Sequence, residues 1–372
     1  MRQPWGFAPC AKKGITAPMS EKRTSPSRSP QGNGAQNSER EERRRMGVIG
    51  AGAWGTALAI TLARAGHDVI LWAREPEVVE AIESRHENPL YLPGISLPES
   101  VHATADHDAL GPCEVVLLVT PAQAVRPVIR DFAPHLREGT PVIICAKGIE
   151  RDTGRFLTDV LAEEAPHLEP FVLSGPSFAM DVARGLPAAV TLAGKDIEQA
   201  RALARLLSHR AFRVYSGNDP LGVQIGGALK NVLAIACGIV DGLSLGDSAR
   251  AALLTRAFAE LARFGRALGA RVETLQGLSG LGDLVLTATS GQSRNYSLGV
   301  ALGRGESLQD ILAARRAVTE GVYTARAVVR IAEDKGLDMP ICQSVHAIVE
   351  GRSTPPVELE RLLSRPLKDE TA

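Results

Sequence analysis

The sequence predicts an α/β fold in two parts, an N-terminal doubly wound parallel sheet and a C-terminal all-α domain. Three observations carry that prediction. Strand-like and helix-like segments alternate regularly up to Ser216. A glycine-rich turn, Gly50-Ala51-Gly52-Ala53-Trp54-Gly55, sits between the first apolar strand and the first helix. After Ser216 the strand signals stop and every later segment reads as helical. Alternation of this kind marks a parallel sheet covered by helices on both faces, and 372 residues leave room for two cores.

Residues 1–42 are rich in Pro, Ser, Gly and Arg and lack hydrophobic periodicity, so a disordered N-terminal extension is expected there. They contain no apolar h-region of a secretory signal, and a dispensable tail is preferred over a transit peptide. Met46 to Ile49 forms the first strand, which Arg43 to Arg45 should lengthen, since strands typically run about five residues. Glycines at the first, third and sixth positions of the turn let the chain reverse tightly, admit a pyrophosphate to the backbone, and bring the next helix close to the strand. That helix, beginning near Thr56, aims its unpaired N–H groups and its positive dipole end at the same place. The second strand, His67 to Trp72, follows at the distance a Rossmann-type βαβ unit requires, so the turn reads as a dinucleotide site.

The alternation continues with a helix from Pro76 to about Arg85 and a proline-punctuated loop, Asn88 to Pro98. Val101 to Thr104 is a short strand, and Val115 to Val119 a continuous apolar run suited to a strand buried on both faces. A helix to about Leu136 leads to the strand Val142 to Ala146, then to Lys147-Gly148 and a helix from Phe156 to Glu164. The strand Phe171 to Leu173 runs into Ser174-Gly175-Pro176-Ser177-Phe178. Strands Ala188 to Ala193 and Phe212 to Tyr215 flank a helix from Ile197 to Leu207. Asp219-Pro220 then caps a long apolar helix to about Val240. Helices are predicted over Ser248–Leu268, Val272–Leu275, Leu281–Thr289, Ser297–Leu302, Leu308–Ala314, Thr324–Lys335 and Ile341–Glu350. The expected division is 43–216 for the dinucleotide-binding domain, 217–366 for the all-α domain, and a tail from 367 to 372.

Composition narrows the function classes. Ten of the 42 Lys/Arg but only four of the 42 Asp/Glu lie in residues 1–45, so the remainder carries a net charge of −6, which argues against a nucleic-acid-binding surface. The most apolar run, Leu221 to Val240, contains Gln224, Lys230 and Asn231, which argues against membrane insertion. Five unpaired cysteines fit a reducing, cytoplasmic setting. The histidines show no metal-ligand spacing, and no metal is expected.

Polar groups inside apolar segments are the candidate chemistry. Lys230 interrupts an otherwise nearly polar-free helix, and burial lowers an ammonium pKa toward the range useful for proton transfer, unless the side chain reaches the surface. Lys147 ends a buried strand, where open α/β sheets place their ligands, although a solvated loop lysine fits the pattern equally well. The Ser174–Ser177 turn occupies the corresponding place after the next strand. Gly280-Leu281-Gly282-Asp283 and Gly291-Gln292-Ser293-Arg294-Asn295 are turn-like breaks; the second carries the donors of a phosphate grip, and an ordinary helix connection is the simpler reading of either.

Seven segments in order resemble the bacterial-type NAD(P)-dependent glycerol-3-phosphate dehydrogenase family over nearly all of residues 43–365. They are the Gly50–Leu58 loop, Ala146-Lys147-Gly148-Ile149, Ser174-Gly175-Pro176-Ser177-Phe178-Ala179, Gly227-Ala228-Leu229-Lys230-Asn231, Leu281-Gly282-Asp283-Leu284, Ser293-Arg294-Asn295 and Thr319-Glu320-Gly321-Val322. The resemblance implies reversible reduction of dihydroxyacetone phosphate to sn-glycerol 3-phosphate with NADP(H) or NAD(H), supplying phospholipid synthesis. It implies Lys230 as proton donor and acceptor, Asp283 as its partner, and Lys147 as a further catalytic group. Gly175, Ser177, Ser293, Arg294 and Asn295 would complete the substrate site, with Arg294 and Asn295 gripping the phosphate. Gly50, Gly52, Ala53, Trp54, Gly55, Arg74, Lys147, Ala179, Arg294, Val318 and Glu320 would line the dinucleotide. Ala53 stands where many members have serine. Arg74 ends the second strand in place of an acid and favours NADP, while the adjacent Glu75 keeps NAD open. The alternatives are a related ketoacid or β-hydroxyacid reductase, which would not be expected to carry the phosphate-gripping turn, and a non-catalytic dinucleotide-sensing module, which would need no buried lysine. The sequence leaves the oligomeric state open; the architecture often forms homodimers through its helical half.

Overall fold

The computed structural model describes residues 43–313, 319–367 and 369. The expected N-terminal extension and Val318 lie outside the described residues, as does most of the expected tail. The chain begins β1 (Arg45–Ile49), α1 (Ala53–Arg64), β2 (Asp68–Trp72), α2 (Pro76–Arg85), β3 (Glu87–Asn88), β4 (Leu92–Ser96), β5 (Val101–Thr104), β6 (Val115–Leu118). It continues α3 (Val125–Phe132), β7 (Pro141–Ile144), α4 (Leu157–Glu164), β8 (Glu169–Ser174), α5 (Ala179–Ala183), β9 (Ala188–Ala193), α6 (Ile197–Leu207), β10 (Phe212–Gly217). The helical half comprises α7 (Pro220–Gly242), α8 (Asp247–Ala267), α9 (Val272–Gln276), α10 (Asp283–Ala288), α11 (Arg294–Gly303), α12 (Leu308–Ala313), α13 (Glu320–Asp334), α14 (Pro340–Val349), α15 (Pro355–Leu363).

The main sheet has the order β10-β9-β8-β7-β6-β1-β2-β5, and the chain reverses its direction of winding at β1, between β2 and β6. Val48 lies level with Leu71 and Leu117 on its two neighbours. Adjacent residues of a strand face opposite sides. Val48 and Leu117 therefore join the core under α1 and α6, and Ile49 and Leu118 join the core under α3 and α4. Burial on both faces explains the unbroken apolar run of β6. All pairings in this sheet are parallel except β8 with β9, which is antiparallel. The segment between those two strands holds only the five-residue α5, which packs on α1 and does not form a full crossover helix.

Three elements depart from the sequence expectation. The proline-rich segment expected as a loop contains the β3–β4 hairpin, because proline bars a helix but not a short exposed strand. The short α5 follows the Ser174–Ser177 turn, and α15 begins at Pro355-Pro356, where proline in the first turn forfeits no hydrogen bond. Arg43 and Arg44 precede β1 and do not lengthen it.

The helical half is built on α7. Asp219 caps it, accepting from Gly222 N at 2.8 Å through Oδ1 and from Arg271 N at 2.8 Å through Oδ2, which fixes the helix start against α9. By length and composition α7 is apolar enough to cross a bilayer, contrary to the expectation from its polar residues, and its apolar stretch is wholly buried in the protein. Leu229, Val232 and Leu233 pack among Leu261, Phe264, Leu298 and Val328 from the surrounding helices. Contact with α11 is close: a Cβ on Gly238 would overlap Tyr296 O, and one on Gly299 would overlap Ile235 O. Glycine at both positions lets the backbones approach, and Asn295 at the start of α11 reaches Asn231, next to Lys230.

Candidate active site

The glycine turn has the geometry of an anion cradle. Gly50 takes φ +110°, a conformation that disfavours any side chain. A Cβ on Gly55 would overlap Gly50 O, whereas one on Gly52 would meet nothing within 4 Å. The turn is therefore tight where helix meets strand and open where a ligand would approach. α1 begins at Ala53, with Gly52 at the cap position and no side-chain hydrogen bond closing its N-terminus. The helix thus starts earlier than the expected Thr56. These features fit a dinucleotide pyrophosphate. Ala53, Trp54 and Ala179 are partly buried and pack on the core beside the turn. Arg74 lies just past β2; its guanidinium is mostly exposed and pairs with Glu75 at 2.8 Å, and Tyr91 Oη reaches the same carboxylate at 3.3 Å.

The charged centre forms where the sheet meets the helical half. Lys230 is only 7% exposed, and its Nζ donates to Asp283 Oδ1 at 2.5 Å. Lys147 Nζ donates to Asp283 Oδ2 at 3.1 Å and to Gly175 O at 3.4 Å, and it stands 5.9 Å from the Trp54 ring centroid. Gly227 allows this approach, because a Cβ there would come 2.8 Å from Ser174 Oγ and 3.6 Å from Lys147 Cγ. Burial pushes the Lys230 ammonium down to about 7 against the pull of Asp283, and the positive charge of Lys147 acts in the same direction as burial. Burial works against ionisation of Asp283, but the two ammoniums outweigh it and hold this carboxyl below the usual range. The surface-lysine alternative for Lys230 and the solvated-loop alternative for Lys147 both fail on these contacts.

Asp283 is placed by an irregularity. A π-helical turn, Leu278–Gly282, precedes it and carries the chain across α7 into α10. The predicted Gly280–Asp283 break is this turn. The second predicted break ends in a helix start: Ser293 Oγ accepts from Tyr296 N at 3.2 Å as the cap of α11, so Arg294 and Asn295 lie in its first turn, ahead of the expected Ser297. Arg294 is exposed by surface area, yet desolvation by the protein around its guanidinium lowers its pKa, and the negative charge of Glu320 partly offsets this. Glu320, itself pushed up by burial, accepts from Ala122 N at 3.0 Å, so α13 reaches the loop after β6. Ser177 Oγ donates to Gly175 O at 3.0 Å within its own turn.

Two residues in this network were given no site role by the sequence reading. Asn231 Nδ2 donates to Lys147 O at 3.2 Å, and its Oδ1 accepts from Asn295 Nδ2 at 2.9 Å; Asn295 Oδ1 in turn accepts from Gly321 N at 3.0 Å. Thr287 Oγ1 lies 3.4 Å from Asp283 Oδ1. Asn231 was visible as a second polar residue in an apolar helix; Thr287 gave no comparable signal.

A doubly wound sheet that turns its glycine loop toward a lysine buried in an adjoining helical half defines a two-part dinucleotide-dependent oxidoreductase. The profile of the NAD-dependent glycerol-3-phosphate dehydrogenase N-terminus matches residues 45–200, and that of the C-terminus matches residues 219–360. Glycerol-3-phosphate dehydrogenase [NAD(P)+] of Parvibaculum lavamentivorans is 54% identical over 328 residues, 88% of this chain and 98% of its own. Its counterpart in Rhodospirillum rubrum is 56% identical over 326 residues, covering 87% and 93% of the two chains. The crystal structure of glycerol-3-phosphate dehydrogenase from Coxiella burnetii superposes with a TM-score of 0.83 at 40% identity, covering 87% of this chain and 99% of that one. The chain belongs to the NAD-dependent glycerol-3-phosphate dehydrogenase family.

Proposed function

We propose that this protein catalyses the reversible NAD(P)-dependent reduction of dihydroxyacetone phosphate to sn-glycerol 3-phosphate, a precursor for glycerophospholipid synthesis. The observation that carries the site assignment is the buried Lys230–Asp283–Lys147 cluster at the junction of the two halves. Bound at the glycine turn, the nicotinamide coenzyme supplies the hydride. Lys230 gives its ammonium proton to the C2 oxygen of the substrate in reduction and takes it back in oxidation. A pKa of about 7 suits both directions near neutrality. Asp283 orients the two ammoniums. Lys147, beside Gly175 and Ser177, polarises the same oxygen. Ser293, Arg294 and Asn295 hold the phosphate, with the guanidinium of Arg294 supplying the charged grip. Ala53, Trp54, Arg74, Ala179 and Glu320 line the coenzyme, and the exposed Arg74 is placed to meet a 2′-phosphate.

The same reading divides the chain at 216/217 and takes a homodimer through the helical half as its assembly, which sedimentation would measure. The enclosure of α7 supports an enzyme that works without membrane insertion, and the four buried thiols Cys113, Cys145, Cys237 and Cys342 suit a reducing cytoplasm. The test is NADPH oxidation with dihydroxyacetone phosphate set against unphosphorylated keto acids. Lys230→Ala is expected to lower kcat by roughly 100-fold or more, as loss of a general acid does, and to leave NADPH affinity within a few-fold. Faster turnover of an unphosphorylated keto acid would refute the substrate assignment; a variant with near-normal kcat would remove Lys230 from the chemistry.

A further inference from the structure

Asn88 begins the segment that sequence reasoning set aside as a loop, yet it is fully buried and touches the glycine turn. Its Nδ2 donates to Ala51 O at 2.8 Å and to Thr56 Oγ1 at 2.8 Å, and Thr56 Oγ1 donates to Ala51 O at 3.2 Å. These bonds close a ring around one carbonyl. Asn88 Oδ1 accepts from Tyr91 N at 3.2 Å. The amide orientation is fixed by its partners, since Ala51 O can only accept and Tyr91 N–H can only donate.

The consequence lies on the other side of the Ala51–Gly52 peptide. In a trans peptide the N–H points opposite to the C=O, and no described peptide bond is cis. With Ala51 O held by the clamp, the Gly52 N–H points away from it, and the surface beside Gly52 is open, since a Cβ there would meet nothing within 4 Å. A rotated peptide would present a carbonyl oxygen to that space and repel an anion. The clamp is formed by a side chain from the β3–β4 hairpin and one from α1, so it holds the turn before any ligand arrives.

We infer that Asn88 is a positioning residue for coenzyme binding, locking the Ala51–Gly52 peptide with its N–H toward the pyrophosphate. This inference rests on the dinucleotide reading of the turn. A preset peptide spares the ligand the cost of ordering it. Asn88 itself touches neither substrate nor coenzyme, so its loss should weaken dinucleotide binding and leave the lysine chemistry alone.

The experiment compares the full chain with Asn88→Asp and Thr56→Val. Asn88→Asp sets an acceptor against Ala51 O, and Thr56→Val deletes the hydroxyl while keeping the branched shape. NADPH affinity is measured by fluorescence titration without substrate, and KM for dihydroxyacetone phosphate at saturating NADPH, alongside thermal unfolding. The expected result is a Kd for NADPH raised about tenfold or more in Asn88→Asp and about threefold in Thr56→Val, with the substrate KM within twofold. Folded variants that bind NADPH within twofold of wild type overturn the inference, whatever their melting temperatures. So does a substrate KM that rises as much as the Kd. Should Asn88→Asp fail to fold, Thr56→Val decides alone. A wild-type chain that binds no NADPH refutes the dinucleotide reading itself.

Discussion

Replacing Asp283 with Asn removes the carboxylate that both active-site ammoniums contact, while preserving the shape and an acceptor oxygen. Asp283 is 1% exposed and lies 2.5 Å from Lys230 Nζ. At an effective dielectric constant of about 20, unit charges at that 2.5 Å separation attract by roughly 7 kcal/mol, and desolvation cancels part of it. Stripping one partner from a buried pair costs about 3–5 kcal/mol. If roughly 3 kcal/mol falls on the protonated form of Lys230, its pKa drops by about 2 from the present value of about 7. At pH 7 the protonated fraction then falls from roughly a half to about 1%, and kcat/KM for reduction falls about 50-fold.

The shape of the pH profile separates this account from general damage. Reduction needs the ammonium, so in the wild type kcat/KM for dihydroxyacetone phosphate declines as pH rises through about 7, and glycerol 3-phosphate oxidation declines as pH falls through it. In Asp283→Asn the reduction limb moves to about pH 5 and acid restores much of the lost rate. The measurement is kcat/KM in both directions from about pH 5 to about pH 9, since that ratio reports groups of the free enzyme. An unmoved limb, or a variant with more than a third of wild-type kcat/KM at pH 7, would show that Asp283 does not set the Lys230 proton.

Other consequences can be checked separately. Arg294→Ala removes the proposed charged phosphate grip and is expected to raise KM for dihydroxyacetone phosphate about 30-fold or more, with a smaller change in kcat, as steady-state kinetics would show. Arg74→Ser is expected to lower kcat/KM with NADPH about tenfold and to leave NADH nearly unchanged; equal losses for both would mean that this exposed guanidinium does not read the 2′-phosphate. Glu260 is buried on α8 and accepts from Ile341 N and Cys342 N at the start of α14, and burial raises its carboxyl to about 7. Because the folded value exceeds the unfolded one, the protonated form stabilises the fold, and this contribution fades as pH rises from about 4.5 to about 7. Denaturant unfolding should show wild type losing up to about 3 kcal/mol relative to Glu260→Gln across that interval, and parallel curves would refute it.

The parts of the site that were legible in the sequence are those that break a local rule. Lys230 and Asn231 stand in an apolar helix, Gly50 to Gly55 is too glycine-rich for an ordinary turn, and Lys147 interrupts a strand end. Each anomaly costs stability locally, so it stands out from its neighbours. Asp283 and Thr287 needed the π-turn before α10 to bring them onto α7, and glycine spacing alone did not specify that turn. The antiparallel β8–β9 pairing escaped for a related reason. Alternation reveals that strands occur, but their direction depends on whether the connection can span the sheet, and α5 is too short to do so. Asn88 was hidden because it lies in a proline-rich stretch where polar residues are the norm, and only its burial marks it as exceptional.

The charge balance of the centre connects these costs to the reaction. Lys147 and Lys230 share the single carboxylate of Asp283, so with Lys230 protonated this trio carries one surplus positive charge. Burial is the main cause that pulls Lys230 down toward neutrality, and the neighbouring charge of Lys147 acts in the same direction. A phosphorylated substrate brings roughly two negative charges near pH 7. Its arrival reverses the local field and favours the ammonium, so the proton is held most firmly when a carbonyl is present to receive it. A fully neutral cluster would stabilise the empty fold better and would attract the phosphate less, and its lysine would respond less to whether the substrate had bound.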